Sequence, residues 1–182
     1  MPRRLFIAIP VSSDLRYRVT QWQEQHQDLP VKWMTAKDLH ITLIPPWQDD
    51  KPEELIERLG KFVSPAFMKP AQFEHVRSGP TRFNPRLVWA LGEATPDILK
   101  LKKEVEHALA FEPDARPFRL HLTLARFAPG REVPFNLRRF HDRISWTQSL
   151  DRIALYESHL DPEGSVTYDI LAEFPCSHLP TI

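Results

Sequence analysis

The chain has 182 residues, with 24 Lys+Arg against 24 Asp+Glu and a single cysteine, Cys176. That length holds one substantial domain or two small lobes sharing an interface. The charge balance excludes a global field for nucleic acid, one cysteine excludes an internal disulfide or a CxxC site, and no run is apolar enough for long enough to span a bilayer.

Residues 5–9 form an unbroken apolar run that predicts a strand covered on both faces. The stretch before Ser12 is short and contains Pro10, so it reads as this first strand rather than a signal peptide, and a cytoplasmic location is expected. Ser12 or Ser13 caps a predicted helix whose stripe is Leu15, Val19, Trp22 and Leu29, with His26 on the same stripe as a packed helix residue. A short strand at 32–34 precedes a strand at 39–44, which Pro45-Pro46 is expected to end. Asp50 and Glu53 make a capping-box-like start to a second helix with Leu55, Ile56, Leu59, Phe62 and Val63 inward.

Residues 70–77 alternate as a strand, Ser78-Gly79-Pro80 and Asn84-Pro85 signal turns, and 87–91 reads as another buried strand. Thr95 and Pro96 open a helix carrying Ile98, Leu101, Val105, Ala108 and Leu109. A strand at 119–127 follows, then an Arg- and Pro-rich connector at 128–149. Strands at 152–158 and 165–174 close the chain around the turn Asp161-Pro162-Glu163-Gly164. Each half thus repeats one order: apolar strand, amphipathic helix, second strand.

Both of those second strands carry one pattern. His40-Ile41-Thr42-Leu43 and His121-Leu122-Thr123-Leu124 lie 121 − 40 = 81 residues apart. In an extended strand, residues i and i+2 share a face, so each copy offers an imidazole and a hydroxyl together while burying its apolar residues. A single such match arises by composition in roughly one chain in ten, and a pair far more rarely. Two imidazoles across a cleft suit in-line displacement at phosphorus, one as base and one as acid, with threonine hydroxyls donating to the non-bridging oxygens. Arg126, three residues past Thr123, is a further phosphate candidate through its forked donors.

Charge is uneven around the second motif. Residues 115–143 hold Arg116, Arg119, Arg126, Arg131, Arg138, Arg139 and Arg143 against Glu132 and Asp142, a net of +5; residues 144–182 carry a net of −5. A phosphate-steering rim and a merely solvated basic face both fit.

The paired motif, in the longer context His121-Leu122-Thr123-Leu124-Ala125-Arg126, resembles the 2H phosphoesterases. Within them the chain is similar to the RNA 2′,3′-cyclic phosphodiesterases, also called 2′-5′ RNA ligases. Residues 4–9, Lys32-Trp33, 86–90, and 155–160 with Gly164 and Tyr168 add to the likeness. The resemblance implies an α+β, bilobal, pseudo-symmetric fold, residues 1–182 as one domain, with two sheets flanking a central cleft and helices outside. It implies metal-independent hydrolysis of RNA or nucleoside 2′,3′-cyclic phosphate to a 2′-phosphate, without cofactor, and reverse 2′-5′ ligation in RNA processing. His40 would be the proton donor, His121 the proton acceptor, and Thr42, Thr123 and Arg126 the phosphate binders. The implied partner is RNA or a nucleotide with a cyclic end, tRNA fragments included, bound by a monomer away from membranes.

Where family members commonly continue the first motif as Phe-Leu-Gly, this chain has Ile44-Pro45-Pro46-Trp47, a departure that bears on substrate range. Trp47 and Phe83 are the candidates for stacking on a base, followed by Trp33 and Tyr156; core packing is the competing reading for each. HExxH-type metal spacing, Gly-x-Ser-x-Gly and Gly-rich phosphate loops are all missing from the sequence. The rival functions are a non-catalytic nucleotide- or RNA-binding member of the fold, and an enzyme for another cyclic phosphate such as ADP-ribose 1″,2″-cyclic phosphate.

Overall fold

The apolar run at 5–9 becomes the middle of a sheet. In a computed structural model describing residues 2–62, 68–81, 83–113, 116–130, 132–160 and 166–176, β1 (Arg3–Pro10) is buried continuously from Leu5 to Ile9. It lies between β3 (His40–Asp49) and β8 (Arg152–Leu160), and β8 pairs with β9 (Val166–Pro175). This first sheet runs β3-β1-β8-β9, all antiparallel. The second sheet holds β2 (Val31–Trp33), β6 (His121–Phe127), β5 (Leu87–Gly92), β4 (Ala71–Gly79) and β7 (His141–Gln148), in the order β2-β6-β5-β4-β7. Each sheet therefore sets a motif strand beside an apolar strand and then two more: β3-β1-β8-β9 matches β6-β5-β4-β7. The fold is α+β with two antiparallel sheets, as the sequence predicts.

The helices are α1 (Ser13–Glu24), α2 (Pro52–Gly60), α3 (Pro96–Ala108) and the short α4 (Phe135–Arg138). Ser12 caps α1, its hydroxyl accepting from the Leu15 N–H at 3.3 Å. The helix follows β1 in sequence yet packs on the other sheet, where the Trp22 indole N–H donates to Asp142 of β7 at 2.7 Å. Conversely, α3 leaves β5 and packs against β3. Among the described residues, no helix is long and apolar enough to cross a membrane.

Several local expectations need correction. Pro45-Pro46 do not end the strand: β3 runs on to Asp49 because it lies on the sheet edge, where a missing N–H is tolerated. Leu5 pairs with Trp47 and Ile7 with Ile44, so both prolines face the single residue Phe6 in a bulge. The connector at 128–149 contains α4 and the edge strand β7. Helix α1 stops at Glu24, before Pro30, and Leu29 joins the core from the turn beyond it. Neither Asp50 nor Thr95 makes a side-chain cap. Asp49 Oδ1 accepts from the Lys51 N–H at 2.8 Å ahead of Pro52 instead, and the Thr95 hydroxyl is buried without a partner among the described residues. Val63, Arg131, His178 and the turn 161–164 lie outside the described residues.

Candidate active site

Both motifs are placed by the same backbone device. In β3 and in β6 the burial alternates identically: His40 and Thr42, like His121 and Thr123, are half-buried, while Ile41, Leu43, Leu122 and Leu124 are buried in the core. After the threonine, each strand bulges. Ala8 pairs with Thr42 and Ile7 with Ile44, leaving Leu43 unpaired; Trp89 pairs with Thr123 and Val88 with Ala125, leaving Leu124 unpaired. A bulge inverts the alternation beyond it. Strict alternation would set Ala125 and Phe127 beside Thr123, yet both are core residues, and exposed Arg126 takes the motif face. The matching position after the first motif is Pro45, which lines a cavity with Thr42. Buried Gln23 braces the second bulge: its amide donates to the Leu124 carbonyl at 3.1 Å and to the Met34 carbonyl at 3.0 Å.

The two imidazoles are tethered alike. His40 Nδ1 lies 2.7 Å from the Asp38 carbonyl and His121 Nδ1 lies 2.9 Å from the Arg119 carbonyl. A carbonyl only accepts, so Nδ1 carries the proton in each, and Nε2 is left to face a substrate. The surroundings differ. His40 is enclosed by Phe6 at 4.9 Å, Tyr168 edge-on at 4.7 Å and Tyr156 at 5.7 Å. His121 meets Trp89 at 5.3 Å, and the Arg119 guanidinium lies 5.5 Å from the same indole.

Burial pushes His40 down to about 4; the Asp38 carbonyl opposes this, and the charges of His121 and Arg126 add to it. Burial also lowers His121, against the Arg119 carbonyl and with the Arg119 charge. The repulsion that His121 and Arg126 exert on His40 places all three within one field.

Two cavities flank the motifs, with Pro80 lining both. One, of about 610 Å³, is lined by Thr42, His121, Trp89, Lys102 and Arg119. The other, of about 780 Å³, is lined by Arg126, Lys32, Trp33, Asp38 and Arg86. Arg126 also donates to the Tyr168 hydroxyl at 3.4 Å. Trp33 is thus at the site. Phe83 is 90% exposed, on the loop whose Asn84 and Pro85 line the larger cavity.

Trp47 is not brought to the cleft. It packs edge-on against Phe111 at 4.8 Å and donates to Asp49, seven residues along β3 from His40 and roughly 20 Å away at strand rise. The basic window is dispersed as well. Arg116 and Arg119 line one cavity and Arg126 the other, Arg138 pairs with Glu132, and Arg139 covers the Phe135 ring. The enclosing groups Phe6, Trp89 and Tyr168 follow from cross-strand neighbours, which a linear pattern does not display. Among the described residues, no three His, Cys, Asp or Glu side chains gather as a metal site.

The arrangement has known counterparts. An RNA 2′,3′-cyclic phosphodiesterase of Geobacillus stearothermophilus is 28% identical over 96% of this chain, which spans only 58% of that protein's length. One from Methanocaldococcus jannaschii is 25% identical over 94% of this chain and 99% of its own. Among solved structures, TT0787 of Thermus thermophilus superposes with a TM-score of 0.72 at 24% identity, covering 95% of this chain and 97% of the other. LigT of E. coli, complexed with 3′-AMP, gives 0.72 at 22% identity over 98% and 100%. The profile of the 2′-5′ RNA ligase superfamily matches residues 10–162, through both motifs, and the chain belongs to that superfamily.

Proposed function

We propose that the protein hydrolyses 2′,3′-cyclic phosphate ends of RNA or nucleosides to 2′-phosphates. The observation that carries this reading is the pair of imidazoles, each with Nδ1 tied to a carbonyl two residues back, Nε2 without a hydrogen bond to another described residue, and a threonine on the same strand face. The names of the curated relatives point the same way. His121 Nε2 takes a proton from water as it attacks phosphorus; O3′ departs opposite, protonated by His40. Thr42, Thr123 and Arg126 hold the non-bridging oxygens, where negative charge grows. His40 at about 4 is a poor proton carrier before substrate binds. A phosphodiester anion beside it favours the imidazolium, so substrate itself readies the acid. With an RNA 5′-hydroxyl in place of water, the same steps in the same direction join the ends through a 2′-5′ linkage, and their reverse cleaves that linkage back to the cyclic phosphate.

The test is product analysis on adenosine 2′,3′-cyclic phosphate after exhaustive chelation. Turnover to the 2′-phosphate is expected, with His40→Ala and His121→Ala each slower by roughly 10²–10⁴-fold. Activity that needs added metal, or a folded histidine variant at wild-type rate, refutes the two-histidine reaction. A predominantly 3′-phosphate product exchanges the acid and base roles.

A further inference from the structure

Strand pairing carries the motif face of the second sheet well past the two cavities. His121 pairs with Leu91, Leu91 with His75, and His75 with Arg143; in the next row Thr123 pairs with Trp89, Trp89 with Arg77, and Arg77 with His141. Directly opposed residues in antiparallel strands share a face. His75, Arg77, His141 and Arg143 therefore stand on the same side as His121 and Thr123, two and three strands away, or roughly 10–14 Å at ordinary strand spacing.

This far end is open and basic. Arg77, His141 and Arg143 are exposed, and His75 is half-buried with its Nδ1 3.2 Å from His141 Nε2. Arg77, His75 and Arg143, and in the opposite sense Asp142, are all close enough for their charges to act on His141. Neither Arg77 nor Arg143 forms a hydrogen bond or ion pair with another described residue. Asp142, between two of the basic residues in sequence, alternates to the helix side, where the Trp22 N–H holds it. Glu74, exposed at a bulge in β4, is the nearby acid of the same strand. Like charges set directly beside one another are unfavourable unless an anion joins them.

The cyclic phosphate of an RNA is its 3′ end, so the rest of the strand leaves the site from the 5′ side of the terminal nucleotide. We infer that the Arg77–Arg143 face of β4 and β7 is the track for that strand, with the two arginines on its backbone phosphates. The inference rests on the cyclic-phosphate reading only for which group occupies the motifs. It makes the substrate class an oligonucleotide rather than a free nucleotide.

The test is binding of a fluorescent single-stranded RNA of about ten nucleotides, within the usual site size for such grooves, ending in a 2′-phosphate. Wild type, Arg77→Ala/Arg143→Ala and the distant control Arg18→Ala are titrated at several salt concentrations. The double variant is expected to bind roughly 3- to 30-fold more weakly, as two exposed charge contacts imply. Its salt dependence should flatten by about 1.4 in slope, at ~0.7 per phosphate. Arg18→Ala should bind as wild type does. The inference fails if the double variant matches wild type in affinity and slope, or if wild type binds the oligomer no better than adenosine 2′-phosphate. Turnover of the cyclic mononucleotide, measured separately, reports on the proposed reaction, so the two ideas stand or fall independently.

Discussion

Gly79 is a position where one methyl group reaches the candidate active site. It ends β4 beneath the indole of Trp89, and a Cβ there would lie 2.5 Å from Cε2 and Cζ2 and 2.6 Å from Nε1. Ordinary contact begins near 3.4 Å, so in Gly79→Ala the indole must retreat by about 1 Å. Trp89 is only 6% exposed and leans on His121 at 5.3 Å, so the displacement falls on that imidazole or on the cavity the two share. Overpacking of this kind costs roughly 1–3 kcal/mol. For a chain of this size that lowers Tm by roughly 2–12 °C. A catalytic group misplaced by ~1 Å loses on the order of 10²-fold in rate. Thermal unfolding and turnover of Gly79→Ala measure both. Adding Trp89→Phe removes the clashing atoms and should restore Tm. A Gly79→Ala protein with wild-type Tm and wild-type turnover would refute the reasoning, since the indole would then have room to spare.

Two further outcomes follow from burial and bracing. His40 has a folded value near 4 against an ordinary 6.5, so the unfolded chain binds more protons between those values. Stability should fall as pH drops from 6.5 toward 4, by up to about 3 kcal/mol from this residue. Denaturant titrations of wild type and His40→Asn at several pH values check this, and equal slopes would contradict it. Gln23→Leu removes two buried donors from the Leu124 and Met34 carbonyls, for a loss of roughly 1–3 kcal/mol by the same titration. It should also raise KM more than it lowers kcat, because the bulge it braces aims Arg126; unchanged KM would detach Gln23 from the site.

The motif pairs are legible in sequence because a two-residue period needs only local backbone geometry. His40 with Thr42 and His121 with Thr123 share faces as alternation requires. Arg126 is at the site for a reason the sequence conceals: at three residues past Thr123, plain alternation turns it away, and only the Leu124 bulge brings it back. Pro45-Pro46 look like a stop until β3 is known to be an edge strand. The strand β7 hides in a charged stretch because one face is wet and the other is covered by a helix from the far end of the chain. Trp47 is near the motif in sequence but not in space, since an extended strand carries a residue far from its motif in few steps. Which sheet each helix covers depends on contacts between distant segments, and helical periodicity does not encode it.

The exchange of elements between the sheets bears on the balance of the chemistry. β2 comes from the first half yet hydrogen-bonds to β6, α1 covers the second sheet, and one apolar cluster runs from Leu5, Ile7 and Ile41 to Val88, Leu122 and Leu124. Separate lobes joined by a modest interface can rock open and shut. These cannot, short of tearing a strand pair and dividing a core. The cavities beside the two motifs are therefore set on one shared core. For the proposed hydrolysis this keeps solvent at hand as the nucleophile, and an RNA hydroxyl would compete only when its own strand is held long enough to displace water. On the proposed reaction, a jaw that does not shut favours cutting over joining.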